Sequence, residues 1–202
     1  RKHYFQHVAG LEPKPVNDDT MRLFRIGDLI HEDIQEAVRN YADKNGAQVM
    51  IEREIQIPEV NVRGFFDLLL VEDGAMIDIK TCNAWKWKNL FGRNPDPNPA
   101  INYYLQLGTY GWWYEEDSGN KLKKLALLYY NKDNSRMREK VIPISYIDKA
   151  KEYWYDVKKR FKKGNPPIEL GIAPVYNWEC NIKYCNFYEV CGGGLKGKGT
   201  DL

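Results

Sequence analysis

"RGFFDLLLVEDGAMIDIKT", residues Arg63–Thr81, sets Asp67, Asp78 and Lys80 among residues that otherwise read as core. Asp73-Gly74 within it is a strong two-residue hairpin signal. With those two as the turn, Leu69 is expected opposite Asp78, and Asp67 opposite Lys80. Strand side chains alternate, so positions 67, 69, 78 and 80 share one face. Phe66, Leu68, Leu70, Ile77 and Ile79 then form a wholly apolar face, which reads as core. Asp67 and Asp78 become diagonal neighbours, with Cβ atoms roughly 7–8 Å apart. A divalent cation taking one oxygen from each fits that gap, and it would relieve the repulsion between them. Lys80 beside them can neutralise charge or orient an attacking water. On these three residues alone, an exposed hairpin face with an ordinary Asp–Lys pair reads equally well.

The neighbouring segments supply a frame. In "MRLFRIGDLIHEDIQEAVRNYADKNG", Leu23, Ile26, Ile30, Ile34, Ala37, Val38 and Tyr41 recur at helical spacing. Asp18, Asp19 or Thr20 can cap the start of this helix, and Gly46 can stop it. "QVMIEREIQI" alternates as a strand and ends at Pro58, and the opening stretch adds two more strands. Residues 100–116 read as a helix; "KKLALLYYN" and "REKVIPIS" read as strands across the turn "KDNS". A further helix carries Ile147, Ala150, Trp154, Val157 and Phe161 on one face. The segment between, "NAWKWKNLFGRNPDPNPA", is rich in Asn and Pro and reads as a loop beside the polar residues. The order suggests one α/β domain over 1–202, a mixed central sheet flanked by helices, with a Cys-rich C-terminal tail. The end, "GGGLKGKG", reads as a flexible extension.

Composition excludes little. The chain has 202 residues, net charge +2, 43% hydrophobic and 29% charged residues, which suits a folded domain and not a disordered one. No apolar run approaches the roughly 18 residues of a membrane span, and no signal-peptide pattern is visible, so a cytoplasmic location without membrane association is expected. The basic runs "KWK" at 86–88, "KLKK" at 121–124 and "KKRFKKG" at 158–164 are local patches of the kind that bind phosphates, or simply solvated faces.

Two further groups bear on chemistry. His31 lies at the edge of the first helix's apolar face, where it is either structural or a metal ligand through neutral imidazole. Gln106 and Tyr110 are one helical turn apart, and so can meet the sheet's polar face together. Cys180, Cys185 and Cys191 crowd into "CNIKYCNFYEVC"; in a reducing compartment such spacing favours metal ligation over disulfides. Trp85 and Trp87, interleaved with Lys86 and Lys88, are candidates for stacking single-stranded bases.

Taken in order, these motifs resemble the PD-(D/E)xK nuclease superfamily, in its RecB-like branch with an iron–sulfur cluster, which includes phage exonucleases and CRISPR-associated exonucleases. Gly27 to His31 resembles the G-x-x-x-H helix motif, Gly64 to Asp67 the first acidic motif, and Asp78-Ile79-Lys80 the D/E-x-K. Gln106 and Tyr110 resemble Q-x-x-x-Y, and Trp178, Cys180, Cys185 and Cys191 the C-terminal cluster. The resemblance implies a restriction-endonuclease-like fold and phosphodiester hydrolysis with Mg²⁺ or Mn²⁺ held by His31, Asp67, Asp78 and the Ile79 carbonyl. It gives Lys80 the attacking water, and Gln106 and Tyr110 the support of Lys80 and substrate. It implies a 4Fe–4S cluster, with zinc as the alternative, bound within 166–192. The cluster's first cysteine is expected ahead of a segment like "RKHYF", upstream of Arg1, or else replaced by Cys82 or another group. The substrate implied is DNA, single-stranded or with free ends, in phage or bacterial recombination or replication. The alternatives are a CRISPR-associated nuclease that trims spacer precursors and a catalytically inactive DNA-binding protein of the same fold. A zinc-stabilised interaction protein is a third, and the oligomeric state stays open.

Overall fold

Hairpin chemistry and a hydrophobic alternation on both sides of it organise the sheet. A computed structural model describes residues 10–95, 101–161 and 185–190. Helix α1 spans Asp18–Asn45 and is followed by strands β1 (Val49–Ile57), β2 (Val62–Leu70) and β3 (Ala75–Cys82). Helices α2 (Ala84–Phe91) and α3 (Ile101–Ser118) come next, then β4 (Lys124–Asn131), β5 (Met137–Ile142) and α4 (Tyr146–Phe161). The sheet order is β1-β2-β3-β4-β5, antiparallel except for the parallel pair β3–β4. A parallel pair needs a long crossover, and α2 with α3 supplies it. The chain divides into two compact units, Asp18–Trp154 and Arg1–Asn17 with Tyr155–Leu202. The sheet, α1, α2 and α3 belong to the first. Of the second, the described residues include a turn at 185–190, where Tyr188 N donates to Cys185 O at 3.1 Å.

Both faces of the sheet are buried, so the expected division into a polar and an apolar face needs correcting. Leu68, Ile77, Ile79 and Leu128 pack with Ile30, Ile34 and Val38 of α1. Leu69, Met76, Leu125, Leu127 and Tyr129 pack with Leu107, Tyr110, Trp112 and Tyr114 of α3. Asp78 and Lys80 alternate with Ile77 and Ile79, so they lie on the α3 side, in the row of Met76 and Cys82. Phe66 belongs to the α3-side cluster although Leu68, two residues on, belongs to the other.

That change of face has a local cause. Along β1 and β2 the pairs Ile51↔Leu68 and Arg53↔Phe66 are both formed, and Glu52 and Asp67 lie unpaired between them. Glu52 has φ +49°, the left-handed region that side chains other than Gly rarely adopt. Both strands turn over at this point: Ile51 packs towards α1, whereas Ile55 packs towards α3. The register stays intact and the alternation shifts by one.

The hairpin between β2 and β3 also differs from expectation. Leu70 pairs with Ala75, so four residues, Val71–Gly74, form the turn. Gly74 N donates to Val71 O at 3.1 Å, and Gly74 itself has φ +59°, which glycine adopts without cost. The register is thus displaced by two residues from the one expected. A displacement of two preserves side-chain parity, so Asp67 and Asp78 still converge.

The first helix ends where the sequence indicates. Gly46 has φ +67°, and Ala47 N reaches back to Ala42 O at 3.0 Å, a glycine-terminated Schellman cap. Its expected apolar face is covered only in the middle. Ile34 is buried, while Leu23, Ile26, Ala37 and Tyr41 are exposed; among the described elements α1 packs chiefly on β1–β3. The expected loop after β3 is in part a helix. Asn83 caps α2 by accepting from Lys86 N at 2.9 Å, which outweighs the Asn-rich composition. On α3, Gly108 is required: a Cβ there would collide with the backbone carbonyl of Tyr146.

Candidate active site

The paired ladder of β2 and β3 stops at Leu68↔Ile77, one residue short of Asp67 and Asp78. The freed backbone N–H of Ile79 must find another acceptor, and Asp67 Oδ2 takes it at 2.5 Å. This bond fixes the Asp67 carboxylate between the strands. Its other oxygen, Oδ1, lies 3.6 Å from His31 Nδ1 on α1. Burial pulls the His31 pKa down, but the hydrogen bond and charge of Asp67 outweigh it, and the net shift is upward.

Asp78 is 2% exposed. Its carboxylate pairs with Lys80 Nζ at 2.5 Å, but Oδ2 has no well-aligned donor, so the contact is an ion pair and not a formed hydrogen bond. Burial pushes the carboxyl up to about 6; Lys80 opposes this and Asp67 adds to it. Burying such a group is costly, and the fully buried Met76, Ile79, Leu125 and Leu127 around it each return about 1.5–3 kcal/mol.

Gln106 and Tyr110 meet as expected, Gln106 Nε2 donating to Tyr110 Oη at 2.8 Å. Burial pushes the Tyr110 phenol up to about 12; Gln106 opposes this, and Asp78 and Asp67 contribute to it. The Tyr110 ring lies against Gly64, where a Cβ would be 3.1 Å from Cε1. The glycine three residues before Asp67 therefore makes room for the tyrosine. Gly27, by contrast, would tolerate a Cβ, since its nearest neighbour, Thr81 Oγ1, would be 3.7 Å away.

Beside Gln106 and Tyr110, the same helix sends a further side chain to Lys80. Lys80 Nζ lies 4.9 Å from the ring centre of Tyr103. Sequence reading missed Tyr103, although the signal was present: positions 103, 106 and 110 fall on one helical stripe of α3. Lys86 Nζ lies on the same ring at 4.8 Å and donates to Tyr103 Oη at 3.3 Å.

The donor types near the carboxylates suit a hard divalent cation: two aspartates, one with a buried oxygen lacking an aligned donor, and an imidazole beside them. They do not close into a ready cage, however. Among the described residues no three His, Cys, Asp or Glu side chains are arranged to hold a metal. Lys80 and the Ile79 N–H satisfy the two carboxylates instead.

Of the cysteines, Cys82 is buried in the α3-side cluster and its thiol is pushed up by burial, which suits a packing role better than a thiolate ligand. Cys185 is half-buried with a free thiol. Cys180 and Cys191, and with them the expected cluster, lie outside the described residues, as does Trp178. Trp85 is exposed, whereas Trp87 packs on Phe91 with ring centres 4.9 Å apart. Among the described residues no helix is long and apolar enough to cross a membrane.

Comparison with known proteins fits this picture. The family model of the PD-(D/E)XK nuclease superfamily matches residues 36–192, a span that takes in Asp67, Asp78, Lys80, Gln106, Tyr110 and the cysteines and begins after His31. The crystal structure of SSO0001 superposes with a TM-score of 0.50 at 21% identity, over 84% of this chain and 70% of that one. An alkaline exonuclease (LHK-Exo) from Laribacter hongkongensis superposes with a TM-score of 0.35 at 17% identity, over 66% and 73%. Among curated proteins none matches in sequence. The five-stranded mixed sheet with flanking helices is the restriction-endonuclease-like arrangement, and with the family match spanning most of its length the chain belongs to the PD-(D/E)XK nuclease superfamily.

Proposed function

We propose that the protein is a divalent-metal-dependent deoxyribonuclease, an exonuclease that hydrolyses phosphodiester bonds of single-stranded DNA or of DNA ends. The observation that carries this reading is the meeting of Asp67, Asp78, Lys80 and His31 where β2 and β3 part, with one carboxylate buried against a lysine at 2.5 Å. Asp67, Asp78 and His31, with the Ile79 carbonyl, would hold Mg²⁺ or Mn²⁺. Such an ion supplies positive charge for the scissile phosphate and eases deprotonation of water there. Lys80, paired with Asp78 at 2.5 Å, would orient the attacking water or face the charge that develops on phosphorus oxygens. Asp67 keeps its place because the Ile79 N–H holds one of its oxygens. Tyr110 stays protonated at neutral pH, and Gln106 donates to its oxygen, which leaves the phenolic hydrogen to donate to a substrate oxygen.

The exonuclease preference and the DNA substrate come from the motif resemblance to phage and CRISPR-associated exonucleases. The same resemblance supports a 4Fe–4S cluster on Cys180, Cys185 and Cys191, with a structural role. Iron and sulfide assays on anaerobically purified protein test it, and stoichiometric zinc without visible absorption would replace it.

The nuclease reading is tested by digesting 5′- and 3′-labelled single- and double-stranded DNA with Mn²⁺. Wild type should release labelled nucleotides from one end, and Asp78→Ala and Lys80→Ala should not. Equal release by all three proteins defeats the reading.

A further inference from the structure

Tyr103 brings two lysines from different elements onto one ring. Lys80 comes from β3, Lys86 from the first turn of α2 and Tyr103 from the first turn of α3. The ring centre is 4.9 Å from Lys80 Nζ and 4.8 Å from Lys86 Nζ, within the range where an ammonium is held by a π face. The Tyr103 hydroxyl also accepts from Lys86 Nζ at 3.3 Å. Two ammonium groups drawn together this way repel each other, which offsets part of the attraction to the ring, and anions at both would relieve it.

The two lysines differ in what balances them. Lys80 has Asp78. Among the described residues no carboxylate pairs with Lys86, whose ammonium meets the ring and hydroxyl of Tyr103. A freely solvated lysine leaves its ammonium in water; this one is half-buried and tethered at two points. A tethered cation that no described carboxylate balances, next to the amine that serves the scissile phosphate, matches the repeating charge of a nucleic-acid strand, where one phosphate follows another.

We propose that Lys86 binds the phosphate next to the scissile one, and that Tyr103 is the positioning residue that spaces the Lys86 ammonium from that of Lys80. The proposal rests on the phosphodiesterase reading above and adds to it a second phosphate subsite. Lys86 is a substrate-binding residue and takes no part in the chemical step.

The test uses the full-length protein and a fluorescein-labelled single-stranded oligonucleotide. Binding is followed by anisotropy across a KCl series, with Ca²⁺ replacing Mn²⁺ to hold off cleavage; hydrolysis is followed separately with Mn²⁺. Lys86→Met should weaken binding several-fold and lower the slope of log K against log salt by about 0.7, the signature of one lost contact to a single strand. Its KM should rise while kcat stays within about twofold, as expected for loss of uniform binding. Lys86→Arg should restore the wild-type salt slope. Tyr103→Phe keeps the ring and should keep kcat, whereas Tyr103→Leu, which frees both lysines, should lower kcat and raise KM together. An unchanged salt slope in Lys86→Met overturns the proposal, as does a fall in kcat at constant KM. If wild type cleaves, Lys80→Ala does not and Lys86→Met matches wild type, the nuclease reading stands and this one falls. If wild type neither binds nor cleaves DNA, both fall.

Discussion

Replacing Asp78 by Asn should make the protein more stable and inactive at once. In the folded chain the Asp78 carboxyl is 2% exposed and burial raises its pKa from 3.8 to about 6. For an acid raised by folding, the stabilising state is the neutral one. That contribution is complete below about pH 4 and is lost as pH rises through about 6. Two units at 1.36 kcal/mol each amount to about 3 kcal/mol by neutral pH, with Lys80 already counted because it shapes the shift. Asn imitates the neutral acid in shape and never ionises. Asp78→Asn should therefore gain about 3 kcal/mol near pH 7.5, or roughly 6–10 °C in Tm for a chain this size, and almost nothing near pH 4. Mn²⁺ should raise the Tm of wild type by more than that of Asp78→Asn, which keeps the Asp67 carboxylate but lacks the second one. Proton competition also means that the apparent Mn²⁺ affinity of wild type should climb as pH passes about 6. Thermal melts by circular dichroism at several pH values, with and without Mn²⁺, measure all of this. A variant that melts at or below wild type near pH 7.5, or whose advantage persists unchanged at pH 4, would refute the reasoning that this carboxylate is held at a cost for the sake of a cation.

Other substitutions probe the surroundings of the carboxylates. Tyr129 is fully buried and among the described residues its hydroxyl has no partner, so Tyr129→Phe should raise stability by about 1 kcal/mol, and a loss of that size in chemical denaturation would show an unrecognised partner. Gly64→Ala should push Tyr110 away by a few tenths of an ångström; activity should fall about tenfold while the melting curve barely changes, and unchanged kcat/KM would remove Tyr110 from the machinery. Glu52 sits in the left-handed region beside Asp67, so Glu52→Gly should be at least as stable as wild type and as active. Glu52→Ile should lose about 1–2 kcal/mol and much of the activity, and identical behaviour of the two variants would show that the twist does not position Asp67.

How far the sequence carries can be judged from the same residues. Alternation and the Asp-Gly signal were enough to place Asp67, Asp78 and Lys80 together, even though the turn has four residues instead of two. The inference survived because a strand register displaced by two leaves every side chain on its own face; a displacement by one would have separated the acids. The face assignment failed at Phe66 because periodicity presumes an uninterrupted strand, and nothing in the composition of "IEREI" announces that Glu52 turns over. The polar face is buried too: α3, whose Gln106 and Tyr110 were expected to meet it, covers it with apolar side chains as well, and a helix that packs over charged residues looks in sequence like any other apolar helix. Tyr103 was legible by spacing and Lys86 was not, since the meeting of α2 with α3 depends on a loop whose composition sets no distance.

These failures share one place. The broken ladder at Asp67, the left-handed Glu52 and the buried acid Asp78 adjoin one another, and each departs from what a stable sheet prefers. A strand pair that continued regularly past Leu68 and Ile77 would bond the Ile79 N–H to backbone and leave Asp67 nothing to hold. Strand parity brings the two carboxylates to one place, and the stop in pairing, next to the point where β1 and β2 turn over, frees the Ile79 N–H to hold Asp67 there. Local rules of sheet formation are therefore violated at the residues proposed to carry the chemistry, and obeyed on either side of them, as expected where backbone order is given up for a reactive site.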